Sequence, residues 1–200
     1  MNGFDRPVAR RKILATAVSV LALLLGGSLA KALTSVEQYV ARVGADVIRL
    51  ANSGAPRPAL RNSFSSLVNR YANVRGVALL ALGQYQQLLP PNRREEFFRL
   101  VSNYIAAFFV SYLDDFRGTG FDIRSSVEEG RSTIVDSQIS FDGRSDVDVR
   151  WRITSGRVSD VKVKGIWLSL QLKKRFTDIL KRTRGDFEPL FDELKSAESW

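Results

Sequence analysis

Residues 146–153 read Asp146-Val147-Asp148-Val149-Arg150-Trp151-Arg152-Ile153. Charged and apolar side chains alternate without a break. Successive residues of a strand point to opposite faces, so a period of two specifies a β-strand with one apolar and one wet side. Weaker versions flank it at 121–129, 132–141 and 157–165, separated by the turn pairs Glu129-Gly130, Asp142-Gly143 and Ser155-Gly156. Connections this short join neighbouring strands as hairpins, so the spacing predicts a four-stranded antiparallel sheet with one face in need of cover.

Upstream the period changes to that of a helix. Thr34-Ser35-Val36-Glu37 is a capping box, and Val36, Tyr39, Val40, Val43, Val47 and Leu50 follow at helical spacing to about Asn52. After a turn over 54–58, Leu60, Phe64, Leu67, Val68 and Tyr71 mark a second amphipathic helix. A third stretch, 74–89, is more apolar and stops at Pro90-Pro91. Asn92 then stands where a cap is expected, with Glu95 three residues on. From Phe97 to Phe116 the apolar content exceeds one helical face, so this helix needs cover on several sides and is expected to lie on the apolar face of the sheet. Downstream of the strands, helices are expected over 168–184 and 186–197, with Gly185 as the C-cap between them. Helices segregated around a hairpin sheet make an α+β domain.

The first 32 residues have the layout of an export signal. Arg6, Arg10, Arg11 and Lys12 precede an uncharged run from Ile13 to Ala30, and Ala30-Lys31-Ala32 fits a small-x-small cleavage site that would leave Leu33 first. The expected organisation is a signal over 1–32 and one domain over 33–200. An uncleaved anchor is the alternative, since eighteen apolar residues are near the length that spans a bilayer. Arg10-Arg11-Lys12-Ile13-Leu14 resembles a twin-arginine signal, while an ordinary basic leader reads the same residues as the general secretory route. Either route places the product in the periplasm.

The chain carries 30 Lys+Arg against 21 Asp+Glu. Residues 1–32 account for five of the bases and for Asp5, leaving 33–200 with an excess of five. Spread out as it is, that charge suits an anionic membrane surface or acidic partners. Nucleic acid is not expected, because no basic stretch is interleaved with stacking aromatics and no zinc-finger or RNP-like motif occurs. The chain contains neither Cys nor His, which removes disulfides, thiolate and Ser-His-Asp chemistry and nearly every zinc site. The adjacent carboxylates Glu95-Glu96, Asp114-Asp115 and Glu128-Glu129 do not make an acid–base pair, since neighbouring residues on a helix or strand point apart. No enzyme and no cofactor are expected. Lys173, Lys174 and Lys181 crowd one helix and are the candidate membrane or partner contact, against the plainer reading of a solvated face.

Taken in order, Arg70-Tyr71-Ala72 through Leu82-Gly83-Gln84-Tyr85, then Pro91-Asn92-Arg93-Arg94-Glu95-Glu96-Phe97 and Tyr112, resemble the first half of the MlaC family, also called toluene-tolerance periplasmic proteins. Val149-Arg150-Trp151-Arg152, Val158-Ser159-Asp160-Val161-Lys162-Val163-Lys164-Gly165, Phe176 and Leu180 resemble the second. The resemblance implies a periplasmic carrier that holds the acyl chains of a phospholipid in an apolar cavity between a twisted sheet and a helical layer. It implies lipid passing between an outer-membrane lipoprotein assembly and an inner-membrane ABC-type transporter, in support of outer-membrane lipid asymmetry. The expected lining is Leu82, Tyr85, Val101, Ile105, Phe108, Phe109 and Tyr112 from the helices, with Val149, Trp151, Val163 and Trp167 from the sheet or just beyond it. One departure bears on the cargo. Ile166-Trp167 stands where the family usually has Val-Ser, and a bulky indole there is expected to reshape the pocket, with a hopanoid-type lipid as the alternative occupant. A non-lipid envelope interaction module is the rival reading, since the same apolar surfaces would also make an ordinary core.

Overall fold

The capping box forms as its residues require. In the computed structural model, which describes residues 32–197, the Thr34 N–H donates to Glu37 Oε2 at 2.7 Å and the Glu37 N–H to Thr34 Oγ1 at 3.2 Å. Two otherwise orphaned donors are satisfied, and α1 (Ser35–Ala51) follows. The expected export signal lies outside the described residues except for Ala32. Among the described residues no helix is long and apolar enough to cross a membrane.

Helix α2 (Arg57–Tyr71) carries Pro58 in its first turn, where a missing N–H costs nothing. Helix α3 (Val74–Leu82) stops short of the expected 89. Gly83 turns to φ 54° and the chain tightens into a 3-10 segment over Gly83–Leu88; only glycine takes that conformation without strain. Helix α4 spans Arg94–Ser111. Asn92 does not cap it, because Asn92 sits inside a preceding 3-10 turn, Pro91–Arg93. Arg93 is the N-cap instead, without a capping hydrogen bond, and its guanidinium binds Glu96 and Glu188, each at 2.6 Å. It also lies 3.8 Å from the centroid of the Phe191 ring. Start of α4 and α6 (Glu188–Ser196) are thereby tied together.

The sheet has five strands rather than four. They run β1 (Gly120–Glu129), β2 (Ser132–Ser140), β3 (Val147–Thr154), β4 (Arg157–Val163) and β5 (Ile166–Trp167), each antiparallel to the one before. The added strand is two residues long, too short to show a period, and it exists because Lys164-Gly165 turns the chain back at φ 49° and 83°. Register follows the alternation: Val135 faces Trp151 and Ile139 faces Val147 on the apolar side, while Asp136 faces Arg150 on the other. That last pair is an ion pair at 2.5 Å. A one-residue slip would expose every apolar partner, so the pattern pins the register.

The cover of the sheet differs from expectation. Helix α1 lies on β1 and β2, whereas α4 packs on α2, α3 and α6 and makes no extended contact with the sheet. Two apolar clusters result. One joins α3, α4, α6 and α5 (Leu168–Arg182), around Phe97, Phe176 and Phe191. The other joins α1, the sheet, the last turn of α4 at Phe109 and Val110, and Leu113 just beyond that helix. α5 closes on a Schellman motif, with the Gly185 N–H donating to the Leu180 carbonyl at 2.8 Å. The left-handed residue after its cap is Arg184, with Gly185 one position further on.

Asp160 of β4 is buried and fixes the other end of α5. Its carboxylate accepts from the Ser169 N–H at 3.0 Å, the Ser169 hydroxyl and the Val161 N–H at 2.9 Å. Asp160→Ala should cost about 2–3 kcal/mol of stability, because two Ser169 donors lose their acceptor away from water. Urea denaturation measures this, and Asp160→Asn, which keeps an acceptor, should cost less.

Candidate functional site

Because α4 stands off the sheet, space remains between them. A cavity of about 460 Å³ fills it. Val43 and Val47 of α1 wall one side, Phe64, Leu67, Val68 and Tyr71 of α2 the next, and Ile105, Phe108, Phe109 and Tyr112 of α4 the third. The floor is Trp151, Val158, Val161 and Val163 of β3 and β4. The Phe64 and Phe109 rings stack across the α2–α4 seam, centroids 3.7 Å apart and planes parallel within 1°.

Tyr71 and Trp151 of the wall keep their polar ends out of the cavity. The Tyr71 hydroxyl donates to Asp46 on α1 at 2.7 Å. That hydrogen bond, with Arg49 beside it, holds the Asp46 carboxyl below the usual carboxylate range. Trp151 Nε1 donates to Ser137 Oγ at 2.8 Å, and Ser137 donates on to the Val149 carbonyl. Among the described residues no buried side-chain nitrogen or oxygen lacks a partner. The deep wall therefore offers an occupant contact area and shape, with no directional group left over; such a wall suits hydrocarbon.

One end of the cavity is shut. At the α2–α3 junction the Asn73 N–H donates to the Val158 carbonyl at 2.8 Å, and Arg157 donates to the Ala72 carbonyl at 2.9 Å. The opposite end reaches solvent, since the lining residues Tyr112 and Ile166 are each 52% exposed there. Asp115 and Lys164 meet beside that mouth at 2.7 Å.

Ile105, Phe108, Phe109, Tyr112, Trp151 and Val163, all expected to line a pocket, are brought together on its wall. The others are elsewhere. Leu82 and Val101 are sealed in the helical cluster with no exposure. Tyr85 packs against that cluster from the 3-10 segment, and Val149 is buried in the core beneath the sheet. Trp167 is turned toward Arg152, whose guanidinium lies 4.4 Å from the ring centroid. It is not among the residues that line the cavity.

The contributions of α1 and α2 were not singled out in the sequence. Phe64, Leu67, Val68 and Tyr71 do share one helical face, but that spacing is the same whether the face meets core or cavity. The paired carboxylates are spent on other groups: Glu95 on Arg75, Glu96 on Arg93, and Asp115 on Lys164. Among the described residues no cluster suited to a metal ion occurs. Lys173, Lys174 and Lys181 are exposed on α5, with Lys174 paired to Asp178 at 2.8 Å.

Comparison with known proteins agrees with this architecture. A family model described as "MlaC protein" matches residues 41–196. Among solved structures, the phospholipid-binding protein from Ralstonia solanacearum, in complex with a phospholipid, superposes with a TM-score of 0.69. The match covers 83% of this chain and 98% of that one at 16% identity. At that identity the likeness is one of fold. Among curated proteins no sequence matches the chain.

Proposed function

The chain belongs to the MlaC family, and from that premise we propose that it is an exported, non-enzymatic carrier that shuttles phospholipid between the inner and outer membranes with the acyl chains in the cavity. The observation that carries this reading is the apolar cavity between sheet and helices, open at one end. The Ralstonia solanacearum protein of the same fold, which holds a phospholipid, supports it.

The physical demand on such a carrier is severe. A two-chain lipid buries roughly 25–30 methylenes in a bilayer at about 0.8 kcal/mol each, so the carrier must return close to 20 kcal/mol of apolar burial. The apolar side chains that α1, α2, α4 and the sheet turn to the cavity are the surface able to return it.

In this reading residues 1–32 direct export and the protein works in the periplasm. Its partners are an inner-membrane ABC-type transporter and an outer-membrane lipoprotein complex, and the exposed Lys173, Lys174 and Lys181 contact them or the membrane surface. Native mass spectrometry on protein purified from its host without detergent tests the proposal. The expected spectrum contains a protein species heavier by one phospholipid. A protein that carries no lipid under these conditions, and takes none up from vesicles, overturns it.

A further inference from the structure

The mouth of the apolar cavity adjoins a second, polar depression. Its volume is about 520 Å³, and its side chains include Asp115, Arg144, Ser145, Asp146, Asp148 and Lys164. The two spaces share two residues, Asp115 and Lys164. A hydrocarbon-lined chamber and a charged one thus meet at a single ion pair, a division that matches the two parts of a phospholipid. We propose that the depression is the headgroup site and that its charges select a headgroup bearing both a phosphate and an ammonium over one bearing only negative charge. The proposal rests on the reading of the cavity as an acyl-chain site.

The charges sort by position. Lys164 stands at the boundary, its ammonium 2.7 Å from Asp115 and its side chain 59% exposed. A lysine ammonium has three donors, so this contact leaves capacity for a phosphate. The backbone places it there at some strain: Lys164 holds φ 49° in a two-residue hairpin turn where Asn, Asp or Gly is the usual occupant. The other cation, Arg144, stacks on Phe141 at 3.7 Å and donates to the Asp114 carbonyl.

The acids lie further along the depression. Asp146 accepts from the Phe141 N–H at 3.3 Å and Asp148 from the Gln138 amide at 3.1 Å. Both partners are neutral, and among the described residues neither acid has a cation within ion-pair distance. Asp146 directly precedes β3, Asp148 is its second residue, and both line the depression at that end of the sheet. The depression therefore holds three carboxylates against two cations. A purely anionic headgroup meets a net negative surface there. A phosphate–ammonium headgroup places its phosphate at Lys164 and its ammonium at Asp146 and Asp148. Lys164 is the exposed member of its pair with the largely buried Asp115, so the lysine is the partner that turns toward the phosphate.

The test loads the full protein, stripped of cargo, from vesicles of equimolar phosphatidylethanolamine and phosphatidylglycerol with matched chains, and the bound lipids are quantified by mass spectrometry after repurification. The ethanolamine lipid should be enriched about fivefold, the ratio expected of roughly 1 kcal/mol of discrimination. The exposed pair Asp146→Asn/Asp148→Asn should keep the fold by circular dichroism, while the ratio falls to parity or below. Uptake at the vesicle ratio by the unaltered protein, or an unchanged ratio in the double variant, overturns the headgroup assignment while leaving the carrier reading intact. Failure to take up either lipid overturns both.

Discussion

Phe108→Asp protein should fold and emerge from purification without lipid. Phe108 lines the cavity, is half-buried, and sits one turn before the exposed Tyr112, whose ring lies 4.6 Å from its own. A carboxylate there stands close enough to the mouth to hydrate once the cavity takes in water, so the stability cost should stay near 1 kcal/mol, within the ordinary range for substitutions. With a lipid in place the same carboxylate would face hydrocarbon. Losing the ring's contact costs about 1.5–3 kcal/mol, and burying a charge costs several more. Lipid affinity should fall by on the order of a thousandfold, which those energies imply together. Circular dichroism read beside lipid mass spectrometry decides the matter. Unfolding would assign Phe108 to the core, and full lipid retention would remove it from the binding wall.

The opposite pattern is expected of Phe97→Ala. Phe97 has no exposure and sits among Phe98, Phe176 and Phe191, with ring centroids 6.0–6.2 Å away in tilted or edge-on arrangements. Removing a ring from such a packing leaves a hole lined by neighbours that cannot collapse, at about 3–5 kcal/mol. For a domain of this size that lowers Tm by roughly 10 °C. Because Phe97 itself does not line the cavity, the protein that remains folded should still carry its lipid. Differential scanning calorimetry gives the first number and lipid mass spectrometry the second. A small shift in Tm would mean that the Phe97 site closes up after all.

How much of this was legible in the sequence depended on whether a residue's role is local. Thr34 and Glu37 satisfy each other across one helical turn, so the capping box could be read directly. The alternation at 146–153 likewise specified a strand and its apolar face. Asn92 misled because the proline pair before it favours a 3-10 turn that carries Asn92 past the cap position. β5 was invisible because two residues have no period. The cavity was the hardest feature to see: an apolar stripe is the same whether it meets a neighbour or a space. Ile105 and Val101, four residues apart on α4, both belong to the helical cluster, yet only Ile105 also reaches the cavity wall. What separates them is where α4 leaves the sheet uncovered, and that is set by how α1 takes the sheet face instead.

The division of α4 between two clusters bears on how such a protein can change over generations. Its first turns are anchored among Phe97, Leu100 and Val101 in a packed helical base, while its last turns present Phe108, Phe109 and Tyr112 to the cavity. Stability is supplied mainly at one end of the rod and cargo recognition at the other. A substitution at the recognition end draws little on the margin that keeps the chain folded, and a margin gained at the base can be used there. The fold is in this sense evolvable: the cavity can be resized for a different chain length by drift at a few wall positions, with the base acting as a buffer against the loss of folding that usually accompanies a new binding preference.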